Sequence, residues 1–171
     1  MRTRRAKISD VPAIHSLIAH YAAQGFLLPR APEEIRASIG HFIVQADDGH
    51  RVISCLSLES YGADLAEIRS IAVEEENRGQ GCGAHLIASA LQEARRRGIA
   101  RVFAVTHAPQ FFERQGFSAA ARQSVAEKLE RDCRTCSQQR SCRLVAVIAT
   151  VIPERVAMPI LSDSAAPLPA C

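Results

Sequence analysis

The segment Ile71–Leu86 (IAVEEENRGQGCGAHL) constrains the fold of this chain more than any other stretch. An apolar strand enters a turn carrying Arg78, Gly79, Gly81 and Gly83, and an amphipathic helix follows at once. Three glycines within five residues let backbone approach a ligand closely, because no Cβ stands in the way. Amides left unpaired at the start of the helix point at whatever anion sits there, and a pyrophosphate suits them. The spacing is neither the G-x-x-x-x-G-K-[ST] of a P-loop nor the G-x-G-x-x-G of a dinucleotide site. A plain glycine-rich turn without a ligand is the competing reading.

At 171 residues one domain with a sizeable core is expected. A composition 47% hydrophobic and 23% charged is that of an ordinary globular protein. No apolar run approaches the ~20 residues a membrane span needs, and no apolar stretch follows the basic start MRTRRAKISD. A secretory signal is therefore not expected, and a cytoplasmic location is. A net charge of +3 suits small anionic ligands and gives no reason to invoke nucleic acid or a membrane. Six cysteines without a secretory signal argue for reduced thiols. Cys133, Cys136 and Cys142 form a C-x2-C-x5-C cluster. Zinc would want a fourth ligand, which the sequence does not supply, so no metal is expected and packed thiols compete with a metal motif.

Along the chain, Arg4–Ile8 reads as a strand, and Ser9 or Asp10 caps a helix with Pro12 in its first turn and Ile14, Leu17, Ile18 and Tyr21 on one face. A connector, Phe26–Arg30, leads to a helix over 32–40. Strands at 42–46 and 51–58 flank Asp47-Asp48-Gly49, a hairpin signal. Ala66–Val73 enters the glycine loop, and the helix after it, Ala84–Arg97, stops at Gly98. Further strands are expected at 101–106 and 144–151, a short helix at 108–115, a strand or turn at 116–117, and part helix, part loop over 124–143. The alternation predicts an α/β (mixed α+β) domain over 1–152, with a mixed central sheet of about six to seven strands flanked by helices. Four prolines in residues 153–171 predict a mobile tail.

Strand 66–73 carries Glu67 and Arg69 in apolar surroundings. A carboxylate there is costly unless it is paired or lines a cleft. It is either one half of a salt bridge, to Arg69 or to a helix, or a general base that takes a proton from a substrate, directly or through water. Thr106 ends the next strand, where its hydroxyl would hold a water or assist a leaving group, or serve only as a β-former. His107 is an acid, a ligand contact or an exposed side chain. A backbone N–H at Val73 would polarise a substrate carbonyl. Arg30 and Arg140 stand at connectors, where their planar forks would suit a dicarboxylic acid, although each alone reads as a surface residue.

The order strand, R-x-x-G-x-G, helix resembles the acyl-coenzyme A loop of the GNAT acetyltransferase superfamily. GFLLPR (25–30), DLAEIRSIAV (64–73), the loop through Gly83 and RVFAVTHAPQFFERQGF (101–117) together resemble the acetyltransferase domain of the N-acetylglutamate synthase family in its short, stand-alone bacterial form. LERDCRTCSQQRSCRLVAV (129–147) is similar to that family's C-terminal piece. The resemblance implies a GNAT fold splayed at an acetyl-CoA site and no amino-acid-kinase domain ahead of it, so no arginine feedback through one. It also implies direct acetyl transfer from acetyl-CoA to the α-amine of glutamate or glutamine, the opening step of arginine biosynthesis.

The same resemblance places the base at Glu67 and an assisting hydroxyl at Thr106. It places carboxylate grips at Arg30 and Arg140, and further substrate positions at Leu28 (through its carbonyl), Ser70 and Cys142. Coenzyme positions fall on Ile71, Ala72, Val73, Arg78, Gly79, Gln80, Gly81, Cys82, Gly83 and Phe112. His107, where the short form has Tyr, and Cys142, where longer members have Ser, bear on the choice between glutamate and glutamine. A homodimer is left open. The competing functions are a GNAT enzyme for another amine (a different amino acid, a polyamine or a protein N-terminus) and a non-catalytic acyl-CoA-binding module. The paired arginines argue against a polyamine.

Overall fold

In the computed structural model, which describes residues 1–134 and 142–152, apolar alternation builds one sheet of seven strands. They are β1 (Arg2–Arg5), β2 (Phe42–Ala46), β3 (Val52–Ser60), β4 (Leu65–Val73), β5 (Arg101–Thr106), β6 (Ser118–Ala120) and β7 (Val145–Thr150). Their order across the sheet is β1-β2-β3-β4-β5-β7-β6. Every neighbouring pair is antiparallel except β4 and β5, which run parallel. A parallel pair requires a crossover, and the glycine loop with its helix supplies it.

The helices are α1 (Val11–Ala23), α2 (Pro32–Ala37), α3 (Cys82–Arg96), α4 (Pro109–Glu113) and a single turn, α5 (Ala126–Lys128), which continues into a π-helical turn at Leu129–Cys133. The helix expected over 32–40 is shorter, because a 3-10 turn at Ile39–His41 leads directly into β2. The first strand starts two residues earlier and ends three residues earlier than expected, since Ile8 belongs to a 3-10 turn. The tail at 153–171 lies outside the described residues.

Period-two alternation sends successive strand residues to opposite faces. On one face α3, α4 and the turn after α4 bury Leu86, Ile87, Ala90, Phe112 and Phe117 against Ile43, Leu56, Leu58, Ala66, Ile68, Val102 and Ala104. On the other, α1 and α2 bury Ile14, Ile18, Tyr21 and Ile35 against Phe42, Val44, Cys55 and Ala72. A third cluster, Tyr61, Leu65, Phe103, Val125 and Ala146, continues that second face under the 122–133 segment.

Two irregularities in β4 shape the site. Ser70 has φ 51, and the β3 register shifts between Cys55 and Ser57, so β4 bulges there. Before the bulge, the even-numbered Ala66 and Ile68 face α3; after it, Ala72 faces α1 and Ile71 takes the α3 side. A bulge adds one residue to one strand and bends it. In addition, β4 pairs with β5 only over Leu65–Glu67 and Arg101–Phe103. Beyond Glu67 the two strands part, leaving a notch bounded by Ile68–Val73 and Ala104–Thr106.

Candidate active site

The glycine loop leaves β4 at Glu74, makes a 3-10 turn at Glu75–Asn77 and enters α3 with Gly81 as its N-cap. Gly79 and Gly81 hold φ 73 and 81, left-handed values that side chains disfavour. No side chain caps α3, and no acidic residue lies in its first turn, so its N-terminal amides and dipole are placed to receive an anion. Gly83 has a different reason. A Cβ there would meet Phe111 Cζ at 2.9 Å, so α4 can lie across the start of α3 only if residue 83 has no side chain.

Around the loop, Tyr21 of α1 ties strand to turn. Its hydroxyl donates to the Val73 carbonyl at 2.5 Å, and Arg78 Nε donates to that hydroxyl at 3.0 Å. The Arg78 guanidinium carbon lies 5.0 Å from the centre of the Tyr21 ring, a cation–π contact. Gln80 turns back on the loop, its Nε2 donating to the Glu76 carbonyl at 2.9 Å. Cys82 is buried with Sγ 3.7 Å from Met1 Sδ, and Ala72 is buried as well. These two positions can therefore offer a ligand backbone only. Ile71 is partly buried against the α3-side core. Phe112, expected at the coenzyme, is 2% exposed in the core, edge-on to Phe117. The ring on the loop belongs to Phe111.

Glu67 is the last β4 residue paired with β5, and it is 3% exposed. Lys128 Nζ lies 2.7 Å from its Oε1, and the Tyr61 hydroxyl lies 2.8 Å from Oε2. Arg69 Nε is farther, at 3.7 Å. The salt-bridge reading of this residue is thus realised chiefly through the helical segment. Asp132 completes the cluster: its Oδ2 lies 2.5 Å from the Tyr61 hydroxyl, 3.2 Å from Arg69 Nη1 and 3.3 Å from Lys128 Nζ. Burial pushes the Asp132 carboxyl upward, but the Tyr61 hydrogen bond and the charges of Lys128 and Arg69 more than offset that, holding it below its ordinary value.

Thr106 does not meet Glu67. It lies three residues beyond Phe103, the residue paired with Glu67, or roughly 10 Å at the usual strand rise. By alternation it shares a side with Val102 and Ala104, and its Oγ1 accepts the Ala108 N–H at 3.0 Å. That position is at the end of the notch nearest the glycine loop, where α4 begins. His107 is exposed.

Arg30 reaches the α1 side of the sheet. Nη1 lies 3.5 Å from Ser57 Oγ, Nη2 lies 3.7 Å from Glu59 Oε1, and the guanidinium stands over Phe42 at 5.4 Å. Glu59 pairs opposite Glu67 across β3 and β4, so Arg30 and the Glu67 cluster share one face. Leu28 is 56% exposed beside it. Ser70 offers its carbonyl to Cys55 Sγ at 3.8 Å. Cys142 is partly buried just before β7. Arg140, and Cys136 of the cysteine cluster, lie outside the described residues. Among the described residues, no group of three or more His, Cys, Asp or Glu is placed to hold a metal, and no helix is long and apolar enough to cross a membrane.

Sequence reasoning missed Tyr21, Tyr61, Phe111, Lys128 and Asp132. The i,i+4 spacing of Lys128 and Asp132 was the one visible signal, and nothing in it pointed to a strand more than sixty residues earlier.

The acetyltransferase (GNAT) family model matches residues 12–117. An uncharacterised N-acetyltransferase of Chlorobaculum tepidum is 35% identical over 148 residues, covering 86% of this chain and 95% of that protein. An amino-acid acetyltransferase of Mycobacterium tuberculosis is 36% identical over 135 residues, 77% of each chain. The Neisseria meningitidis amino-acid acetyltransferase is 33% identical, but this chain spans only 30% of its length. Among solved structures, the N-acetylglutamate synthase of Neisseria gonorrhoeae, complexed with coenzyme A and N-acetyl-glutamate, superposes with a TM-score of 0.80 at 28% identity. That match covers 88% of this chain and 35% of that one. A Mycobacterium tuberculosis protein in complex with CoA gives 0.78 at 28% identity, covering 88% and 99%.

Proposed function

We propose that this chain, which belongs to the GNAT acetyltransferase family and uses acetyl-CoA to acetylate an amine, acts on the α-amine of L-glutamate or L-glutamine. Acetyl passes directly to the amine in a ternary complex, as the opening step of arginine biosynthesis. The observation that carries the reading is a buried carboxylate, Glu67, set where two parallel strands separate. The gonorrhoeae neighbour holding coenzyme A and N-acetyl-glutamate adds support for the substrate class.

The pyrophosphate lies on the α3 N-terminus and the Gly79–Gly83 backbone, and the acyl end runs along the notch. There the unpaired edge of β4 offers N–H groups to polarise the thioester carbonyl. The substrate ammonium must shed a proton before it attacks, and Glu67 receives it, directly or through one water. Thr106, at the coenzyme end, faces the departing thiolate. Arg30 and Arg140 take the substrate's α-carboxylate and the carboxyl or carboxamide at the end of its side chain.

One observation favours glutamine between the two acids. Glu59 Oε1 is buried and has no hydrogen-bond partner among the described residues, 3.7 Å from Arg30 Nη2. A donor beside an acceptor matches a carboxamide, whereas a second carboxylate would meet Glu59 with like charge.

The test is thiol release from acetyl-CoA with glutamate, glutamine, arginine and spermidine, using wild type and Glu67→Gln. Turnover on glutamine or glutamate, reduced roughly 100- to 10,000-fold in the variant, is the result expected for a lost general base. Turnover confined to spermidine or arginine would overturn the substrate class. Undiminished turnover in Glu67→Gln would remove the base.

A further inference from the structure

The reaction itself poses a problem that the site has to solve. An ammonium and a thioester give an amide, a thiol and one free proton. The N–C bond forms, the C–S bond breaks, and nitrogen loses two protons. The thiolate keeps one of them, and the other is left on the base. Glu67 is 3% exposed, so each turnover would strand a proton on a side chain that water scarcely reaches.

The geometry points to a relay, Glu67 to Tyr61 to Asp132, that carries this proton to solvent. It rests on the reading of Glu67 as base. The Tyr61 hydroxyl lies 2.8 Å from Glu67 Oε2 and 2.5 Å from Asp132 Oδ2, so one O–H bridges both carboxyl groups. A hydroxyl accepts on a lone pair while donating its own hydrogen. Glu67 hands its proton to the Tyr61 oxygen as Tyr61 hands its own to Asp132, and no charge rests on the phenol. The Asp132 side chain is 25% exposed against 4% for Glu67, so the proton meets water at Asp132 and leaves.

Lys128 touches the same two carboxylates, at 2.7 and 3.3 Å, yet an ammonium has donors and no lone pair. Its part is to hold the acids together. Arg69 does the same from β4, 3.7 Å from Glu67 and 3.2 Å from Asp132. Arg131 lies 3.5 Å over the Tyr61 ring, and Phe103 meets that ring edge-on at 5.6 Å, so the hydroxyl has little freedom to turn away. Burial and the nearby Glu67 push the Tyr61 hydroxyl far above its ordinary value, which suits a group that passes protons and never ionises.

The experiment is steady-state turnover at low buffer concentration for wild type, Tyr61→Phe, Asp132→Asn and Glu67→Gln, with imidazole titrated in and the solvent deuterium effect measured. Tyr61→Phe keeps the ring and removes only the bridge. Its kcat should fall roughly 100-fold, the low end for lost proton transfer, with KM little changed. It should then rise with imidazole concentration as the buffer takes over proton removal. Asp132→Asn, which leaves Tyr61 in place, should show the same buffer dependence. A hydroxyl with only a structural role would lower kcat without making it depend on buffer. Turnover of both variants independent of imidazole, with a solvent isotope effect equal to that of wild type, would overturn the relay while leaving an inactive Glu67→Gln to uphold the base. An active Glu67→Gln enzyme would overturn both.

Discussion

Gly81 and Gly83 sit two residues apart and are glycine for unrelated reasons, and substitution separates those reasons. Gly81→Ala forces a methyl-bearing residue to φ 81, costing about 1–2 kcal/mol in backbone strain. Open space surrounds the position apart from His85 at 3.9 Å, so trimming a neighbour will not restore it. Gly83→Ala drives a methyl to 2.9 Å from Phe111 Cζ, an overpacking cost of about 1–3 kcal/mol. Phe111→Leu should relieve it. Urea unfolding of the single and double variants checks this: the Gly83→Ala/Phe111→Leu pair should couple and the Gly81→Ala/Phe111→Leu pair should add. Both single variants should also raise KM for acetyl-CoA, because both move the amides proposed to receive the pyrophosphate. Equal coupling in the two pairs would return Gly83 to the purely conformational role its neighbours have.

At the scale of elements, β4 does most to form the site, and it was legible only in part. Its strand character, the loop after it and the length of α3 follow from local pattern, because alternation and glycine spacing are local. So do the hairpin of β2 and β3 and the seven-strand mixed sheet. The bulge at Ser70 leaves no such trace: Ser is an ordinary strand residue, and only the change of face between Ile68 and Ala72 reveals the extra residue. That Phe112 packs in the core while Phe111 lies over Gly83 was not legible for a related reason, since adjacent aromatics on a five-residue helix give periodicity too little length to decide which faces the core. The Tyr61–Glu67–Lys128–Asp132 cluster was hidden because it joins three chain segments and Lys128 sits in a stretch without period. The bulge is testable as an element. Ser70→Val places a β-branched side chain at φ 51 and should cost about 1–2 kcal/mol, whereas Ser70→Gly should stay within about 1 kcal/mol of wild type. Thermal denaturation of the two variants measures the difference. A Val variant as stable as wild type would mean that the strand straightens, and its acetyl-CoA turnover should then collapse, because the notch depends on the bend.

Over the whole molecule, the edge strand β1 links the two faces of the sheet through charge. Alternation sends Arg4 to the α1 side and Arg5 to the α3 side. Arg4 donates to both oxygens of Asp10, at 2.6 and 3.0 Å, and Arg5 donates to Glu93 Oε1 at 2.5 Å. Glu93 is 2% exposed and also receives Arg96 at 2.5 Å and Arg97 at 2.8 Å. The hydrogen bond from Arg4 holds Asp10 below its ordinary value. Burial alone would raise Glu93, and Arg97, Arg5 and Arg96 more than offset it, so it too lies low. Asp132, beside Tyr61 and Arg69, adds a third lowered carboxyl among the described residues. A carboxyl lowered in the folded state binds its proton more readily once unfolded, so the unfolded chain takes up more protons as pH falls. The stability these groups supply is complete above their unfolded values near 4 and is lost as pH drops through the folded ones. Urea unfolding should therefore give a free energy nearly flat in these groups from pH 7 to 5 and falling steadily below 5. Asp10→Asn should be less stable at pH 7 and show a shallower fall below 5, because one of the three linked protons is gone. An acid slope unchanged by that substitution would mean that the Arg4–Asp10 pair does not tie β1 to α1 in solution, and that the acid sensitivity belongs to Glu93 and Asp132 alone.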